Sequence, residues 1–106
     1  MPSPAGDPSR DTIPVHLLLV ASPDCHFCLD ARAVLQRLGR DYRLHVREVQ
    51  LSSPEGQDLA ARHGIAFPPG LFIEDRFIGF GRVSERKLRR LLEQRLGAAA
   101  PGHGQV

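Results

Sequence analysis

The stretch Val15-His16-Leu17-Leu18-Leu19-Val20-Ala21-Ser22-Pro23-Asp24-Cys25-His26-Phe27-Cys28 decides the reading of this chain. Its first seven residues form a nearly continuous apolar run, the pattern of a strand buried on both faces of a parallel or mixed sheet. A turn at Ser22-Pro23-Asp24 follows. Beyond it, apolar residues recur at Leu29, Ala31, Val34, Leu35 and Leu38, which is helical spacing, and Gly39 stands where the helix can stop. Cys25 and Cys28 therefore fall in the first turn of a helix that follows a buried strand, with Asp24 placed to cap it.

Working outward, Tyr42 to Leu51 reads as a second strand, with Leu44 and Val46 on one face and Val49 and Leu51 less regularly placed. Ser53-Pro54-Glu55 has the form of a helix start, Ser as cap and Pro at the first helical position, and His63-Gly64 is a stop. Leu71 to Ile73 and Arg76 to Phe80 read as short strands joined as a hairpin through Glu74-Asp75. Ser84 then caps a last helix with Leu88, Leu91, Leu92 and Leu96 on one face, and Val83 can staple onto Leu88. The predicted order is β-α-β-α-β-β-α, an α/β chain. One domain is expected over residues 13–96, between flexible segments 1–12 and 97–106, which are rich in Pro, Gly and Ala.

Length and composition agree with a single domain: 106 residues, 42% of them apolar and 25% charged. The Val15 to Ala21 run is too short to span a bilayer, and only Arg10 precedes it, so neither a membrane span nor a secretory leader is predicted. The expectation is a cytoplasmic protein. Its two cysteines are too few and too close to staple a fold, and in that compartment a close pair points to redox chemistry or metal binding. With 14 basic and 12 acidic residues, the net charge of +2 gives no indication of a nucleic-acid partner.

Cys25-His26-Phe27-Cys28 after a buried strand, Phe67-Pro68-Pro69-Gly70-Leu71-Phe72-Ile73 before a hairpin, and a terminal helix together resemble the thioredoxin superfamily; the small size is glutaredoxin-like. The resemblance covers nearly the whole folded part. It implies a thioredoxin-like fold with a four-stranded mixed sheet flanked by three helices. It also implies a cis-proline beside the cysteine pair, for which Pro69 is the matching position and Pro68 the lesser match. The chain departs from both branches. The strand before the cysteines is wholly apolar at Leu17 to Val20, where thioredoxins carry a buried acid, and the usual Trp before the first Cys is absent. Where glutaredoxins have T-V-P and G-G-x-D-D, this chain has Phe67-Pro68-Pro69 and Gly79-Phe80-Gly81-Arg82-Val83. Only Gly79 agrees in the second motif, and the acidic residues that would hold the glutathione amino group are missing.

The chemistry open to the pair follows from the helix start. The free backbone N–H groups and the macrodipole of a helix N-terminus favour a thiolate at Cys25, the form that attacks disulfides. Cys28, one turn on, is placed to attack a mixed disulfide on Cys25 and release the reduced substrate. His26, when protonated, would add positive charge beside Cys25, though it is equally readable as a solvated histidine. Asp24 reads as helix cap, and Phe27 as an aromatic surface or a partly buried residue. Phe67, Pro68, Gly79 and Arg82 are the weaker candidates for substrate binding, Arg82 as a partner for a carboxylate.

The expected function is thiol–disulfide oxidoreduction through a Cys25/Cys28 dithiol–disulfide couple. Expected partners are disulfide-bearing proteins and a donor, either glutathione or a thioredoxin-reductase type. No resident cofactor, nucleic acid or membrane partner is expected, and the chain is expected to be a monomer. Two alternatives stay open. One is metal or iron–sulfur binding, although two cysteines do not complete a four-ligand site within one chain and His26 is poorly placed to help. The other is a non-catalytic binding domain. The last helix is basic, with Arg82, Arg86, Lys87, Arg89, Arg90 and Arg95 against Glu85 and Glu93, and reads as a solvated face. His16, His45 and His63 share no spacing with the cysteines.

Overall fold

The structure is a computed structural model, and it describes residues 14–99. The elements are β1 (Val15–Ala21), α1 (His26–Leu38), β2 (Leu44–Gln50), α2 (Pro54–His63), β3 (Gly70–Ile73), β4 (Arg76–Phe80) and α3 (Glu85–Ala99). Their order is the predicted β-α-β-α-β-β-α. The segment 1–12 and the chain beyond residue 99 lie outside the described residues. α3 continues past Gly97, with Ala98 and Ala99, the residue type with the strongest helix propensity, in its last turn.

The four strands form one mixed sheet in the order β2-β1-β3-β4. β1 pairs in parallel with β2 and antiparallel with β3, and β3 pairs antiparallel with β4. Central β1 is apolar from Leu17 to Ala21, where both of its faces are covered, and carries the exposed His16 near its start. Val15, Leu17, Leu19 and Ala21 enter a core with Ala31, Val34, Leu35 and Leu38 of α1 and Leu88 and Leu92 of α3. Val20 points the other way, into a smaller cluster with Ile65 and Phe72, onto which Leu59 and Ala60 of α2 pack. Fully burying a Leu in such a core contributes roughly 1.5–3 kcal/mol. Among the described residues no helix is long and apolar enough to cross a membrane.

β2 departs from expectation. It begins two residues after Tyr42, and Val49 is its only buried residue, while Val46 is 45% exposed. As the edge strand, it has only β1 beside it, so its alternation governs less. Tyr42 is instead buried in the loop before the strand, within the larger core.

The punctuation residues act locally. Ser53 Oγ accepts the Gly56 N–H at 3.0 Å, and Gly64 ends α2 in the left-handed conformation. Ser84 Oγ accepts the Lys87 N–H at 3.2 Å at the start of α3. Gly39 ends α1 in a right-handed conformation, with its N–H on Leu35 O at 2.9 Å. The hairpin turns on Glu74 and Asp75, both with positive φ (53° and 69°), as a type I′ turn requires. Glutamate is an unusual choice there. It is held by exchange with β1: Glu74 N–H donates to His16 O, and Glu74 Oε2 accepts the His16 N–H, both at 2.8 Å.

Candidate active site

Cys25 occupies the N-cap of α1 with extended backbone (φ −123°, ψ 111°), and its sulfur accepts the Cys28 N–H at 3.0 Å. The cap is therefore the cysteine itself. This corrects the expectation for Asp24, which sits one residue earlier, exposed and outside the helix. The physical reason is position: only the residue with extended backbone immediately before the first helical turn can aim its side chain at the N3 N–H, and that residue is Cys25.

Cys25 and Cys28 form a disulfide with Cα atoms 5.1 Å apart. The two sulfurs differ in access. Cys28 is fully buried in the larger core, at 0% exposure, whereas Cys25 is only partly buried. A third segment closes the site from the side. The Pro68–Pro69 peptide is cis, Pro69 is fully buried, and the Pro68 carbonyl oxygen lies 3.6 Å from Cys25 Sγ. In the disulfide Cys25 carries no S–H, so this approach becomes a hydrogen bond only when the thiol is present. Two successive prolines also offer no backbone N–H beside Cys25, leaving the Pro68 carbonyl as the polar group there.

The Pro69 carbonyl accepts the Gly81 N–H at 2.8 Å, tying the segment after β4 to the cis-proline loop before β3. Gly81 adopts φ +90°, and a Cβ there would come within 3.2 Å of the Phe67 ring. That glycine lets Phe67 and Phe80 meet edge to face, ring centroids 5.1 Å apart, while both remain well exposed at 48% and 40%. Phe27 adds a third exposed ring, at 38%, at the helix start.

A family model described as Glutaredoxin matches residues 17–78, more than half of the chain. The chain belongs to the glutaredoxin family. Within the wider thioredoxin superfamily, this glutaredoxin-family chain is 27% identical over 88 residues to a protein of Archaeoglobus fulgidus named "Probable Thioredoxin", covering 83% of this chain and 97% of the relative. Two solved structures share the fold. A single-residue mutant of a thioredoxin from Halobacterium salinarum superimposes with TM-score 0.55 at 23% identity, over 76% of this chain and 73% of its own. A thioredoxin from Thermus thermophilus gives TM-score 0.53 at 22% identity, over 93% and 88%. At the family level, a Cys-x-x-Cys pair in this setting belongs to thiol–disulfide oxidoreductase chemistry.

Of the residues singled out from sequence, Cys25, Cys28, Phe67, Pro68 and Pro69 come together in this glutaredoxin-family site. Gly79 and Arg82 line a neighbouring cleft of about 100 Å³ with Phe80, Gly81, Val83 and Lys87. Asp24 and His26 are exposed, and their side chains make no hydrogen bond or ion pair among the described residues. The reading of single residues passed over Phe80 and Gly81 as a working pair; the signal was an aromatic followed by glycine directly after the last strand. His16 and His45 face each other edge to face across β1 and β2, and His63 packs on Phe72 and Phe77. Among the described residues no group of three or more His, Cys, Asp and Glu side chains is arranged to hold a metal ion.

Proposed function

We propose that this chain is a dithiol–disulfide oxidoreductase acting on polypeptide disulfides, with Cys25 as nucleophile and Cys28 as resolving thiol. The observation that carries the reading is the asymmetry of the pair: a partly exposed Cys25 sulfur that accepts the Cys28 N–H, above a fully buried Cys28. A sulfur held at a helix N-terminus by a backbone donor is favoured as thiolate, with the macrodipole worth about 0.3–1 kcal/mol.

In the reduced protein, the Cys25 thiolate attacks one sulfur of a substrate disulfide. A Cys25–substrate bond forms, the substrate S–S bond breaks, and the departing thiolate takes a proton from water. Cys28, deprotonated, then attacks Cys25 Sγ. The Cys25–Cys28 disulfide forms and the second substrate thiolate leaves and is protonated. Two electrons and two protons have passed from protein dithiol to substrate. An external dithiol, or two equivalents of a monothiol such as glutathione, returns them to the protein.

Turnover of insulin and of hydroxyethyl disulfide tests the reading. The wild type is expected to reduce both, Cys25→Ser neither, and Cys28→Ser to accumulate a mixed disulfide on Cys25. An inactive wild type, or an active Cys25→Ser variant, overturns it.

A further inference from the structure

Six arginines of the fold are neutralised locally: Arg32, Arg37, Arg47, Arg62, Arg89 and Arg95 each pair with a carboxylate, whereas exposed Arg40 and Arg76, singly placed elsewhere in the chain, have no ion pair among the described residues. Arg82, Arg86, Lys87 and Arg90 are all exposed, and among the described residues none of their side chains has an ion pair. These four cluster at the start of α3 and along its outer side. Carboxylates on that helix face elsewhere: Glu85 is engaged by Arg37 and Arg89, and Glu93 accepts from the Tyr42 hydroxyl.

This placement works against the helix. Arg86 and Lys87 lie in the first turn of α3, where the macrodipole disfavours positive charge. A local cost without a local partner is the kind of conflict that folded chains keep at functional surfaces.

The cluster is continuous with the redox pair. Cys25 Sγ meets the Pro68 carbonyl, the Pro69 carbonyl holds Gly81 N–H, and Arg82 follows directly, sharing the cleft behind Phe80 with Lys87. The exposed Phe67 and Phe80 rings meet at this junction, Phe67 directly before Pro68 in the chain and Phe80 in the lining of the cleft with Arg82 and Lys87. The cleft, at about 100 Å³, is well below the roughly 300–1,000 Å³ of pockets that enclose small ligands. A partner must therefore lie across this surface.

We infer that the surface from Phe67 and Phe80 to Arg82, Arg86 and Lys87 selects polypeptide disulfides in which the attacked cysteine is flanked by an apolar residue and by carboxylates. The inference rests on the oxidoreductase reading and deepens it. The rings cover the apolar neighbour, and the unpaired cations meet the acidic side chains as the substrate sulfur reaches Cys25. A nucleic acid would match the charge but brings no disulfide to the pair.

The test uses the full chain and three peptide disulfides of equal length, each with Phe beside the cysteine and with Glu, Gln or Lys in the flanking positions; hydroxyethyl disulfide serves as the uncharged reference. Wild type is expected to favour the Glu over the Lys peptide in kcat/KM by about tenfold at low salt, as a few exposed ion pairs would produce. High salt should reduce the ratio to within about twofold. The Arg82→Gln, Arg86→Gln and Lys87→Gln triple variant should show the reduced ratio at low salt as well. Hydroxyethyl disulfide turnover with equal rates on all three peptides, a Lys preference, or a Glu preference that survives salt or the triple substitution overturns this inference alone. No turnover of any disulfide overturns the oxidoreductase reading along with it. A single-stranded oligonucleotide that competes with the Glu peptide at equal charge would reassign the surface to nucleic acid.

Discussion

The Cys28 N–H donates to the Cys25 sulfur across 3.0 Å, so the residue that caps α1 is also the one that presents sulfur to a substrate. Cap and nucleophile can be separated by substitution. Serine at position 25 keeps an acceptor at the cap, and alanine removes it. With both proteins free of the disulfide, Cys25→Ala is expected to be less stable than Cys25→Ser by about 1 kcal/mol in urea unfolding. Equal midpoints would mean that the sulfur does not cap the helix.

Asp24 gives the complementary result. It lies outside the helix, and its side chain makes no hydrogen bond or ion pair among the described residues. Asp24→Ala should change stability by no more than about 0.5 kcal/mol, as at other exposed positions. A loss above about 1 kcal/mol would return the capping role to it.

Gly56 is pinned by space. A Cβ there would run into Gln50 O and stand 2.8 Å from Leu51 Cα, both backbone atoms that cannot swing aside. Gly56→Ala is expected to cost about 1–3 kcal/mol or more, through separation of α2 from the end of β2. Thermal unfolding of the variant beside wild type measures this, and an unchanged midpoint would contradict the close approach.

Tyr42 is the only tyrosine, and the chain has no Trp, so phenolate absorbance reports on one residue. Burial pushes its phenol up, and the hydrogen bond to Glu93 with that carboxylate's charge adds to the rise, while Arg89 opposes it. The native titration midpoint is expected above the ordinary phenol value of about 10, and the urea-unfolded midpoint at it. Because the folded value is the higher one, the stabilisation is fully present below the unfolded value and is lost as pH rises through the folded value. Glu93→Gln should move the native midpoint down. A native midpoint equal to the unfolded one would contradict this environment.

Much of the fold was legible because periodicity and punctuation pointed the same way. The apolar run Val15–Ala21, the 3.6-residue spacing from Leu29 to Leu38, Ser53-Pro54 and Ser84 each became the element their local physics requires. Asp24 is the residue type that suits a cap, but the backbone conformation gives that role to the adjacent Cys25, which residue preference alone does not reveal. Leu44 and Val46 do share a face of β2, but Val46 is 45% exposed on this edge strand, a burial that apolar spacing alone does not encode.

By itself the sequence determined the element order and the placement of both cysteines in one helical turn, since these depend on short-range spacing; the cis position of Pro69 was implied by the resemblance to the thioredoxin superfamily. Only the tertiary structure decided which sulfur is reachable, that Pro68 O faces Cys25, that Gly81 lets Phe67 lean on Phe80, and that Arg82, Arg86, Lys87 and Arg90 have no ion pair among the described residues. Cys25 and Pro68 meet across 43 residues of chain. Burial and charge pairing depend on which distant side chains meet, which no local pattern encodes.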